Sequence, residues 1–71
     1  MTNQEAFDLL SIVRWKTGVC NSGEKCWCRT IVPETPIQDE YGVNMFVIPD
    51  GAVDEYTAMH IVELHNKWVD L

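Results

Sequence analysis

The sequence predicts an α+β domain in the order helix, strand, strand, helix, with an antiparallel two-stranded ribbon packed on two helices. Three features carry that expectation. Apolar residues recur at helical spacing near both ends of the chain, residues 25–32 read as a strand that sets Cys26, Cys28, Thr30 and Val32 against Trp27, Arg29 and Ile31, and Gly and Pro signals separate these stretches. The 71 residues make a single small acidic domain, 1–71, and an apolar content of 46% argues against disorder. A chain this short buries only about 60% of the surface that its unfolded form exposes. A metal, a disulfide, a second copy or dense aromatic packing would help to close its core.

The first helix is expected over residues 4–17. Thr2 or Asn3 can cap it, Glu5 and Asp8 suit its early turns, Arg14 and Lys16 its last, and Gly18 is a stop. At about 100° per residue, Ala6, Leu9, Leu10, Val13 and Thr17 share one face with Phe7 at its margin, while Ile12 and Trp15 fall nearly opposite. Asn21-Ser22-Gly23 reads as a turn, and Lys25–Val32 as a strand ended by Pro33. Residues 33–42 form an acidic connector. A second strand is expected over Val43–Ile48, followed by a Pro49-Asp50-Gly51 turn. The last helix covers residues 53–70 with Asp50 or Asp54 as its cap. Its buried face holds Ala58, Ile61, Val62, Trp68 and Val69, with Leu64 at one edge and His65 at the centre. Two strands alone are marginal, so helix packing or sheet extension by a second copy must complete the core.

Charge is distributed unevenly. No basic residue lies between Arg29 and Lys67, a stretch that holds Glu34, Asp39, Glu40, Asp50, Asp54, Glu55 and Glu63. With a net charge of -6, the domain presents a negative field that attracts basic partners and repels nucleic acid. The first residues have neither a basic nor an apolar signal region, and no apolar run reaches membrane-spanning length, so a cytoplasmic protein that does not engage a membrane is expected.

Cys20, Cys26 and Cys28, with His60 or His65, offer enough soft ligands for a four-coordinate zinc. The spacing speaks against it, because on a strand Cys26 and Cys28 would stand about 7 Å apart at the backbone. A turn there would close the gap. Reduced cysteine is also a small buried hydrophobe, and core filling is the preferred reading, with no cofactor expected. His65 suits either a ligand or general base beside a thiol, or a neutral imidazole bonded to a backbone carbonyl. No phosphate loop, nucleophile elbow or paired-carboxylate signature is present, so an enzyme is not expected.

Ile12 and Trp15 have the composition of an interface anchor; a first helix covered on two sides, by the ribbon and the connector, would instead make Trp15 ordinary core. Carboxylates on a rigid frame can imitate phosphates about 6–7 Å apart, close to alternate positions on a strand. No family motif matches residue by residue. In size and acidity the chain is similar to the small inhibitors that phages and mobile elements make against host machinery, including anti-CRISPR proteins. The likeness rests on class-level features, and it implies a non-enzymatic inhibitor or nucleic-acid mimic that blocks a basic, nucleic-acid-binding site on a host protein. Ile12 and Trp15 would then anchor the contact, and Glu34, Asp39, Glu40, Asp54, Glu55 and Glu63 would meet partner lysines and arginines. A homodimer is compatible with the same surface. The alternative is a small structural zinc module built on Cys20, Cys26, Cys28 and a histidine, His65.

Overall fold

Thr2 opens the first helix in the computed structural model, which describes residues 1–20 and 25–71, and of residues 50–52 the backbone alone. Its hydroxyl accepts from the Glu5 N–H while the Glu5 carboxylate accepts from the Thr2 N–H, a reciprocal capping box. Two helices, α1 (Asn3–Ile12) and α2 (Glu55–Val69), accompany three strands, β1 (Trp15–Val19), β2 (Cys28–Pro33) and β3 (Ile48–Asp54). The sheet is antiparallel in the order β1-β2-β3, so the α+β class holds. The expected ribbon is one strand short. The turn expected at Asn21-Ser22-Gly23 lies outside the described residues.

The additional strand is cut from the expected first helix, which stops at Ile12 rather than Thr17. Val13 is already extended, at φ -91° and ψ 164°. Trp15, Thr17 and Val19 favour strands, and pairing from Trp15 opposite Pro33 to Val19 opposite Arg29 supplies a ladder that outweighs local helical preference. Gly18 is needed there, since a Cβ would lie 2.7 Å from the Thr30 hydroxyl oxygen across the ladder. Ile12 and Trp15 therefore do not share a helix face. Ile12 is exposed at the end of α1, whereas Trp15 is half-buried in β1.

The second correction concerns residues 43–54. Pro49-Asp50-Gly51 lies within β3 rather than forming a turn between elements. Ile31 pairs with Ile48 and Arg29 with Val53, so β3 takes five residue steps where β2 takes two. The turn-forming residues are absorbed as a bulge, one of the few places where a sheet tolerates proline. Residues 43–47 join the connector, which is more ordered than its composition suggests. Gln38 bridges Asn44, and Met45 N–H donates to the Ile37 carbonyl at 2.8 Å. Asp39 accepts from the N–H groups of Tyr41 and Val43, and Gly42 supplies the positive φ of 78° that the tip requires.

This folded connector, not the sheet, receives α1. Ala6 and Leu10 bury against Ile37, with Leu9, Val13, Met45 and Val47 packed around them. The apolar face of α1 is thus the one that the wheel indicates, but the two helices do not share one face of a ribbon. α2 covers the sheet instead. Ala58 is buried and Ile61, Val62 and Val69 are partly buried, whereas Trp68, expected among them, is 58% exposed.

Docking of α2 centres on His65 and Asn66. The Asn66 carboxamide accepts from the Trp15 N–H at 2.8 Å and donates to the Trp15 carbonyl at 2.9 Å. It acts as a one-residue continuation of the sheet. His65 stacks on the Trp15 ring at 3.4 Å and 5°, and its Nε2 lies 2.7 Å from the Val13 carbonyl. The Trp15 indole N–H donates to the Leu10 carbonyl at 2.8 Å. The result is a slab of 35 × 31 × 16 Å with 4984 Å² of accessible surface. A compact chain of this mass would expose about 4,500 Å². Among the described residues, Phe7, Trp27, Tyr41, Tyr56 and Trp68 are left more than half exposed.

Replacing Asn66 by alanine strips both partners from the Trp15 backbone and is expected to cost about 1–3 kcal/mol in chemical denaturation. Asn66→Asp keeps the acceptor but loses the donor, so its stability at neutral pH should fall between alanine and asparagine. Equal stability of Asn66→Ala and the parent chain would show that water serves these groups as well.

Candidate functional site

The carboxylates singled out by sequence are spread over the molecule, and most are engaged within it. Glu34 meets Arg14 at 3.0 Å, and Asp70 pairs with the same guanidinium from the end of α2. These two acids, Asp70 foremost, raise the pKa of Arg14. Asp39 holds the connector tip. Glu40 accepts from the Asn3 N–H at 3.2 Å, and Asn3 returns a bond to the Glu40 N–H at 3.0 Å, tying connector to helix. Asp54 caps α2 through the Thr57 N–H. Glu55 lies 3.8 Å from Arg29. Glu63 projects from the exposed side of α2. The connector acids thus shape the fold as well as the field.

The solvent side of α2, which carries Glu63, also bears apolar residues that sequence reading underweighted. Tyr56 (80%), Met59 (51%), Leu64 (56%) and Trp68 (58%) are all more than half exposed on α2, among the exposed acids Glu55, Glu63 and Asp70. Trp68 is expected on the buried face of α2 and Leu64 at its edge, and both turn out to solvent. A second apolar feature is the groove between α1 and the connector, lined by Phe7, Leu10, Trp15, Met45, Phe46 and Val47. Ile12 is exposed (59%) one residue beyond Ser11, which also borders this groove. Trp15 forms part of the groove wall rather than a free anchor.

The cysteines converge. β2 begins at Cys28, so Cys26 and Trp27 lie on the bend before it and not on the strand. The gap anticipated for strand neighbours closes accordingly, and the Cys26 and Cys28 sulfurs stand 3.2 Å apart. The β1–β2 register, continued one step past Val19 and Arg29, brings Cys20 opposite Cys28. All three Sγ atoms lie within 4.8 Å of one another. Cys20 and Cys28 are buried and Cys26 is half-buried. Arg29 fixes the bend, its guanidinium donating to the carbonyls of Cys26 and Cys28. His65 is not in the cluster. Its Nε2 is directed at the Val13 carbonyl, as a donor, and its ring lies on Trp15.

Comparison with family models, curated proteins and solved structures returned no match. Among the described residues, no helix is long and apolar enough to cross a membrane.

Two helix caps carry a pH dependence. Hydrogen bonds from Thr2 hold the Glu5 carboxyl below its ordinary value of 4.5, and those from Thr57 hold Asp54 below 3.8. A pKa depressed on folding stabilises the native state above the unfolded value and loses that contribution as pH falls through the folded one. The melting temperature should therefore be level near neutrality and decline once pH drops below 4.5, the higher ordinary value. Asp54→Asn, which still caps but does not titrate, should show a shallower acid decline in circular dichroism melts. An unaltered acid limb would place the dependence elsewhere.

Proposed function

We propose that this chain is a non-enzymatic binding protein that occupies a basic, nucleic-acid-binding site on a larger host protein, in the manner of phage and mobile-element inhibitors. The observation that supports this reading is the solvent side of α2, where Tyr56, His60, Glu63 and Lys67 run along the middle, exposed Met59 lies on one flank, and exposed Leu64 and Trp68 lie on the other. These apolar groups are more than half exposed, Trp68 keeping a tilted ring contact with His65 at 5.9 Å, and a helix bearing them suits a groove on a partner. The net charge of -6 steers that helix toward a basic rim. Ile12 adds an exposed apolar group at the end of α1. Glu34, Asp39 and Glu40 contribute to the field while serving as internal ties. The setting is the cytoplasm of the host, and the partner's nucleic acid is displaced rather than bound by this chain.

Affinity capture on the immobilised chain, run at low and high salt, tests the reading. The expected partner is basic, binds nucleic acid, elutes as salt rises, and releases its nucleic acid when saturated with this chain. Glu63→Lys lies on the exposed side of α2, so it should leave the melting temperature nearly unchanged while slowing association. A partner that keeps its nucleic acid at saturation, or an association rate indifferent to both salt and Glu63→Lys, would overturn it.

A further inference from the structure

We propose that Cys20, Cys26 and Cys28 form a binding site for one zinc ion, held by three thiolates where β1 and β2 meet. The inference is independent of the partner-binding reading. Its basis is the convergence of three sulfurs from separate places in the chain: one follows β1, one sits on the bend, and one opens β2. Thiolates bound to a single zinc at about 2.3 Å stand roughly 3.8–4.0 Å from one another. The observed sulfurs, all within 4.8 Å and the closest pair at 3.2 Å, reach that triangle by small adjustments on either side.

The bend is anchored from behind. Arg29, whose side chain is only 15% exposed, bonds the carbonyls of both Cys26 and Cys28 and lies 3.8 Å from Glu55. Its guanidinium therefore fixes the backbone that aims these two thiols to one side. Outer partners of this kind orient the ligands of metal sites. A disulfide accounts for the arrangement less well. A contact of 3.2 Å is not a bond of about 2.05 Å, and any pairing leaves the third sulfur over.

Charge selects the ion. Binding converts three thiols and one Zn²⁺ into a complex of net charge minus one, with release of three protons to solvent. Monovalent copper on the same ligands would leave minus two, in a chain already at -6. Among the described residues the cluster consists of the three sulfurs, and a four-coordinate zinc takes one further ligand beside them. The half-buried Cys26 is the side on which the cluster meets the surface.

The test uses the full chain, reduced, with zinc alone and with cadmium as its spectroscopic substitute. One zinc per chain is expected in competition with a chromophoric chelator, and the cadmium–thiolate absorbance should correspond to three thiolates. Cys20→Ser should weaken zinc by more than about a hundredfold, beyond the roughly 10–100-fold cost of losing an outer partner. His65→Gln should leave metal affinity within twofold. The cadmium titration of the parent chain remains decisive should either variant fail to fold. Absence of zinc binding, an absorbance equal to two thiolates, or loss of metal in a folded His65→Gln chain would overturn the proposal.

Discussion

Three consecutive residues, the two between α1 and β1 and the first of β1, are each tied to the C-terminal end of α2. Val13 offers its carbonyl to His65, Arg14 pairs with Asp70, and Trp15 is held through its ring by His65 and through its backbone by Asn66. This interlock holds the chain in the extended course that the β1–β2 ladder imposes, since the Arg14 side chain and both the ring and the backbone of Trp15 are engaged by the C-terminal end of α2. It also sets the placement of α2 on the sheet. The Trp15 indole carries the constraint one step further, to the Leu10 carbonyl at the end of α1. With a buried apolar cluster of only Ala6, Leu10 and Ile37 on the connector side, directional bonds substitute for the bulk packing that a larger domain would have.

The same economy explains the electrostatics. Arg14 and Arg29 are both engaged by carboxylates of this chain, Glu34 and Asp70 for the first and Glu55 for the second. Lys16, Lys25 and Lys67 are exposed. The acidic surplus that faces outward is thus a remainder, left after several carboxylates have been used as caps and ties. Such exposed pairs contribute little individually. Their effect is to leave the surviving negative charge, Glu63 above all, among the exposed apolar residues of α2.

Features encoded locally were legible in the sequence. The Thr2 cap, the apolar face of α1, the Asp54 cap, the extent of α2 and the coarse α+β class follow from periodicity and from residues a few positions apart. Features that depend on long-range pairing were not. Val13–Val19 satisfies a helical wheel and a strand alternation equally, and only β2, absent from any local window, decides between them. Pro49-Asp50-Gly51 has ordinary turn chemistry, and its absorption into β3 depends on the same strand. The cysteines show the sensitivity most sharply. Shifting the start of β2 from Lys25 to Cys28 turns two thiols from strand neighbours into a touching pair. Likewise, an imidazole at the centre of an apolar helix face suited both a ligand and a carbonyl partner, and the Trp15 ring it would stack on was assigned to another element.

The two outer strands end in ways that matter for crowded solution. β3 is an edge strand that carries Pro49 and a bulge, so its rim has a missing donor and a local bend. β1, the other edge, begins with a residue whose outward N–H and carbonyl are plugged by the Asn66 carboxamide. A neighbouring chain approaching either rim finds an interrupted row of hydrogen-bonding groups rather than a flat template. Open-ended stacking of sheets into fibrils is thereby disfavoured, even though a chain this small leaves much apolar surface uncovered.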